Sequence, residues 1–166
     1  MTPGEANGAS DYQGMSVLGV GIDIVSIPEF GEQLRQPGTT FADRFTVGER
    51  RDSAAGTGDD ARHLAARWAA KEAVVKAWSV SRFSRSPLLP LIRHSDIEVV
   101  TDTWGRPAIR LSGEIGEHLR DTTVHVSLTH DGDTAAAVAI LEGRYPRAAL
   151  RPSSTPRAAD SRRASA

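Results

Sequence analysis

The sequence predicts an α+β fold, and three observations carry that expectation. Four short apolar runs, at 97–100, 108–111, 124–130 and 134–141, fall into two neighbouring pairs joined by turn residues, as antiparallel hairpins do. A single long helical segment reaching about Trp78 stands near the middle of the chain. Strands and helices do not alternate one for one, which disfavours a doubly wound parallel sheet. The 166 residues suit one domain with a real core, and 39% apolar with 25% charged residues points to a globular centre diluted by polar ends.

Taken in order, VLGVGIDIV (17–25) is dense in β-branched residues and predicts a buried first strand. Alternation places Val17, Gly19, Gly21 and Asp23 on one side and Leu18, Val20, Ile22 and Ile24 on the other. Two glycines at alternate positions signal that something packs very close to their side. Ser26 caps a helix with Pro28 in its first turn, which runs toward Arg35 until Gln36, Pro37, Gly38 and Thr39 break it. Thr46 and Glu49 have capping-box spacing, and that structural role suffices for both. After a Gly/Ser-rich loop at 53–58, Asp59 or Asp60 caps the long helix. Its apolar residues lie almost all round, as in a buried central helix, so the charges on it need partners.

Residues 81–95, with Pro87 and Pro90 among Arg and Ser, form a loop or irregular insertion. IEVV (97–100) and AIRL (108–111) make a hairpin through Asp102, Trp104 and Gly105, and Ser112 to Leu119 allows a short helix. VHVSLTH (124–130) and TAAAVAIL (134–141) make a second hairpin across Asp131-Gly132. The expected tally is about five strands and three or four helices.

Residues 1–15 read as a disordered N-terminal extension, 16–142 as the folded domain and 143–166 as a disordered tail rich in Arg, Pro and Ser. Met15, directly before the first apolar run, is a candidate initiator. The formal net charge is −1, but the segment after Glu142 carries six Arg against one Asp, so the rest of the chain is acidic. An acidic core argues against a nucleic-acid partner. Nothing in the sequence is long and apolar enough to suggest a membrane partner, and a cytoplasmic location is expected. The absence of cysteine removes thiol nucleophiles, thiolate metal sites and disulfides, so a metal must sit on oxygen or imidazole. Walker-type and Rossmann-type glycine loops are absent as well, and no histidine has a spacing partner that suggests zinc chemistry.

Only two lysines occur in the chain, Lys71 and Lys76, five residues apart on the long helix. Glu72 and Lys76 are spaced i, i+4, and Arg67 lies about one turn earlier. Such a set is either a surface pair or part of a site. Packing of the glycine side of the first strand on the alanine-rich helix would bring Asp23 and Glu72 together as oxygen ligands for Mg²⁺, with positions left open for a phosphate-bearing substrate. His125, Ser127 and Thr129 share one side of their strand. His130 stands at the strand end, either as an exposed turn residue or, with the Ser and Thr hydroxyls, as part of a phosphate site.

In order along 16–142, GVGIDIV (19–25), FADRFTVGE (41–49), LAARWAAKEAVVKAW (64–78), WGRP (104–107), HVSLTH and TAAAVAIL resemble the holo-acyl-carrier-protein synthases, the small 4′-phosphopantetheinyl transferases. The resemblance implies the transferase fold, a mostly antiparallel sheet packed on a long central helix. It implies transfer of 4′-phosphopantetheine from coenzyme A to a serine of an acyl carrier protein, releasing adenosine 3′,5′-bisphosphate, in fatty acid or polyketide biosynthesis. Asp23 and Glu72 match the family's magnesium carboxylates, and Lys76 matches a residue acting on the leaving group. Arg67, Thr129 and His130, together with Lys76, match positions near the phosphates of coenzyme A. Either Glu72 or a metal-bound water accepts the serine proton. Members of this size typically form homotrimers with the site between neighbours. Two departures stand out. Glu29 occupies a position where many relatives carry an Arg directed at the carrier protein, a role that Arg35, Arg44 or the tail would have to take. Ser79 and an insertion replace a common glycine after the helix. A non-catalytic module that binds coenzyme A or carrier protein is the competing expectation.

Overall fold

In the computed structural model, residues 14–55 and 60–144 are described. The expectations for 1–13, for 56–59 including the Asp59 cap, and for the tail from 145 onward lie outside the described residues. The order is β1 (Ser16–Ser26), α1 (Ile27–Arg35), a 3-10 turn (Phe41–Arg44), α2 (Val47–Ala54), α3 (Asp60–Ser81), a second 3-10 turn (His94–Asp96), β2 (Ile97–Thr101), β3 (Pro107–Leu111), α4 (Gly113–His118), β4 (Thr122–Asp131) and β5 (Thr134–Gly143). All strand pairings are antiparallel. β1, β5 and β4 form one sheet in that spatial order, and β2 and β3 form a separate hairpin. The α+β class expected from the sequence is therefore the class observed.

The local signals act where they were read. Ser26 caps α1 by accepting from the Glu29 amide, and Thr46 and Glu49 close a reciprocal capping box on α2. Gly132, at φ 52°, makes the tight turn between β4 and β5, a conformation that costs a residue without Cβ little. α3 extends three residues beyond Trp78 to Ser81.

The core forms where β1 and β5 lie on α3. Ala69, Ala70, Ala73, Val74 and Ala77 have no exposed surface, and neither do Ala135, Ala139 and Leu141 on the facing strand. The expected close approach at the glycines is present. A Cβ on Gly19 would overlap the carbonyl oxygen of Ala77, and one on Gly21 the carbonyl oxygen of Ala73. Small side chains on both layers let backbone touch backbone, which fixes the height of β1 over the helix. A second cluster, of Phe30, Phe41, Phe45 and Trp68, packs edge to face over the first half of α3, with centroids 4.9–6.2 Å apart.

One sequence expectation about β1 is corrected. The pairing with β5 slips between Val17 and Gly19, and this irregularity exchanges the first two residues. Val17 turns outward with Val20, Ile22 and Ile24, while Leu18 packs on the core beside the glycines. A bulge adds a residue without adding a ladder step, so strict alternation fails across it. The outward face remains bare, with Ile22 62% and Ile24 67% exposed.

Candidate active site

Asp23 reaches the helix because β1 and α3 run in opposite directions at matching pitch. Gly19 faces the turn from Ala77 to Ser81, and Gly21 faces the turn from Ala73 to Ala77 with the Lys76 Cβ beside it. One strand repeat further on, Asp23 Oδ1 accepts from Lys76 Nζ at 2.6 Å. The Asp23 side chain is 14% exposed, while Lys76 keeps 51% of its side chain in solvent. One end of this pair is held in the fold, and the other can move.

Glu72, one helical turn before Lys76, is half-buried and bonded to the imidazole of His94, Nε2 to Oε1 at 2.9 Å. That hydrogen bond, against the opposing effect of burial, holds the Glu72 carboxyl below its ordinary pKa. The charges of Lys76 and Arg44 act in the same direction. Glu72 is thus kept as a carboxylate, and both acids lie in the field of one ammonium, Asp23 by contact and Glu72 through space. Sequence reasoning missed His94, whose only mark is its place in the 81–95 insertion, 22 residues from its partner.

Arg67 and His130 make their contacts with His63, earlier on α3, and Thr129 lies on β4. Arg67 Nη1 donates to the His63 carbonyl at 3.2 Å, while its Nε is buried without a hydrogen-bond partner. The His63 ring lies 5.9 Å from that of His130 at the end of β4. Thr129 is exposed on the outward side of β4 with His125 and Ser127, as the alternation predicts. Of the candidate carrier contacts, Arg35 is exposed on α1, the helix that carries Glu29. Arg44 instead stacks over Phe41 and Trp68 and reaches His94.

The reading of Glu49 as a capping residue alone is also corrected. Glu49 is 1% exposed, and its carboxylate binds Lys71 Nζ at 2.9 Å as well as the amides of Thr46 and Val99. Lys71, without exposed surface, donates further to the carbonyls of His94 and Ile97 at 2.8 and 2.6 Å. The sequence shows the cap because it is local. The ion pair joins two elements and leaves no local trace.

The 4′-phosphopantetheinyl transferase superfamily model matches residues 19–140. The chain belongs to this superfamily. It is 69% identical over 128 residues to a holo-[acyl-carrier-protein] synthase of Mycobacterium ulcerans, a match covering 77% of this chain and 98% of that one. A holo-[acyl-carrier-protein] synthase of Mycobacterium sp. strain KMS is 67% identical over the same shares. Among solved structures, the Mycobacterium tuberculosis acyl carrier protein synthase is 62% identical with TM-score 0.66, over 77% of this chain and 99% of that one. The ACPS–CoA complex of Chronobacterium ammoniagenes is 42% identical with TM-score 0.72, over 80% and 99%.

For a phosphopantetheinyl transferase the donor set can be tested against a metal. Among the described residues no three His, Cys, Asp or Glu side chains gather into a metal cage. Asp23 in contact with Lys76, and Glu72 kept ionised one helical turn before that lysine, are oxygen donors of the type Mg²⁺ takes, since it keeps several waters and is commonly held by one or two carboxylates plus substrate phosphates. No helix among the described residues is long and apolar enough to cross a membrane.

Proposed function

We propose that this chain transfers 4′-phosphopantetheine from coenzyme A to a serine of apo-acyl carrier protein, giving the holo-carrier and adenosine 3′,5′-bisphosphate. The observation that supports this reading is Lys76 in contact with Asp23 and with Glu72 in its field, where β1 lies on α3, in a chain of this superfamily. In the reaction the serine Oγ bonds to the β-phosphorus, and the bond from that phosphorus to the bridging oxygen of the leaving nucleotide breaks. Negative charge gathers on phosphoryl oxygens, so the chain must supply fixed positive charge and a place for the serine proton.

Asp23 and Glu72 would hold Mg²⁺, whose contribution when bound is to draw charge from the pyrophosphate. Lys76 leaves Asp23 for the departing oxygen, which its exposed ammonium can follow without disturbing the core. Glu72, kept ionised, accepts the serine proton directly or through a water. Arg67, Thr129 and His130 bind phosphates of coenzyme A. Within a homotrimer, His130 serves the centre formed by Asp23 and Glu72 of a neighbouring subunit. The bare apolar face of β1, with Val20, Ile22 and Ile24 exposed, is a surface through which such an assembly would form. A cytoplasmic enzyme of fatty acid or polyketide biosynthesis follows from this reading, with Arg35 or the tail taking the carrier contact that Glu29 does not make.

Intact-mass spectrometry of apo-acyl carrier protein incubated with this chain, coenzyme A and Mg²⁺ tests the proposal. A gain of one phosphopantetheine arm, lost with EDTA, is expected. Coenzyme A binding without any gain across several carriers would instead mark a binding module.

A further inference from the structure

We propose that His94 is the positioning residue of the site, holding one oxygen of the Glu72 carboxylate so that the other is left to the cation and the substrate. This rests on the role given to Glu72 above. His94 is fixed on every side. Its carbonyl accepts from buried Lys71, its ring lies against the Trp68 indole at 4.6 Å between centroids, and its side chain is 14% exposed.

The imidazole has a direction as well as a place. Arg44 Nη1 lies 3.3 Å from His94 Nδ1, and a guanidinium carries N–H donors but no acceptor. Nδ1 therefore accepts, the ring hydrogen sits on Nε2, and Nε2 donates to Glu72 Oε1. Arg44 is itself held 5.6 Å from the centroids of both Phe41 and Trp68. The series Arg44 to His94 to Glu72 thus has one polarity, set by a residue that cannot reverse it. Filling space beside Trp68 would need only an aromatic ring. The hydrogen bond to Glu72 needs a donor at the Nε2 position, and that requirement separates positioning from packing.

The test uses the full chain with His94→Phe, which keeps the ring against Trp68 and removes the donor, and His94→Gln, whose amide can donate from near the Nε2 position. Loss of such an outer partner typically costs about 10–100-fold in metal affinity or activity. His94→Phe is expected to lose that much in kcat and in Mg²⁺ affinity, the latter by calorimetry without coenzyme A, while KM for coenzyme A changes little. His94→Gln is expected to recover most of both. Nitrogen-detected NMR of the unaltered chain should show the Nε2–H tautomer. The proposal is overturned by unchanged kcat and Mg²⁺ affinity in His94→Phe, by a Gln variant no better than Phe, or by the Nδ1–H tautomer. If His94→Phe does not fold, the Gln variant and the tautomer decide. Full transfer by Glu72→Gln would overturn the reading of the site itself, whereas an inactive Glu72→Gln beside an unimpaired His94→Phe would overturn the role of His94 alone.

Discussion

Lys71 and Lys76 stand five residues apart on α3, and each is paired with a carboxylate from another element. Lys71 has no exposed surface and three acceptors: the Glu49 carboxylate and the carbonyls of His94 and Ile97. Lys76 has one among the described residues, Asp23, and half its side chain is in water. The contrast follows from desolvation. A buried ammonium is tolerable only when every hydrogen has a partner, so Lys71 cannot leave. Burial pushes the Lys71 pKa down, and the Glu49 carboxylate opposes that shift. Lys76 has little desolvation to recover and can exchange a carboxylate for a phosphate. The first region specifies the fold, and the second is available for chemistry.

The strongest challenge to this comparison removes the buried cation. Lys71→Ala leaves Glu49 charged and unpaired in the core and should cost about 3–5 kcal/mol of stability, read from chemical denaturation. A loss below about 1 kcal/mol would show that the two lysines do not differ as described. Asp23→Asn and Glu72→Gln should have the opposite signature, with kcat falling about 10³-fold and a loss of stability well below that of Lys71→Ala. Wild-type turnover in both variants would refute their assignment.

Lys76→Ala should lower kcat about 10²-fold while changing stability by less than about 1 kcal/mol, since its ion pair is open to solvent. An effect confined to KM for coenzyme A would make Lys76 a binding residue. The smallest effect is a pH dependence. A carboxyl depressed in the native state stabilises it at all pH values above its ordinary range, and loses that contribution as pH falls through the depressed value. The melting-temperature difference between the unaltered chain and Glu72→Gln should therefore shrink on acidification. A difference constant down to strongly acid pH would contradict the cause given for the shift.

What was legible in the sequence was local or periodic. The Ser26 and Thr46 caps, the Asp131-Gly132 turn, the length of α3 and the glycine repeat of β1 all act within a few residues, and each appears where expected. The pairing of β1 with β5, strands more than a hundred residues apart, leaves no such mark. Neither does the exchange of Val17 and Leu18, because a bulge is a property of two strands together. Asp23, Glu72 and Lys76 could be singled out because charge among Gly and Ala is conspicuous. His94 and the Glu49–Lys71 pair could not, because their partners belong to other elements and only folding brings them together.

The glycine contacts of β1 also act as a scale. Two strand residues advance about 6.7 Å and four helical residues about 6.0 Å. Main chain resting on main chain at Gly19 and Gly21 thus behaves like a vernier, whose graduations drift by less than about 1 Å per division. Asp23 is the next mark on the strand, and the long Lys76 side chain reaches it from the turn that Gly21 faces. One residue inserted between Gly21 and Asp23 would turn the acid to the far side of the strand, with no atom of the site replaced. The calibration of this centre resides in two side chains that are not there.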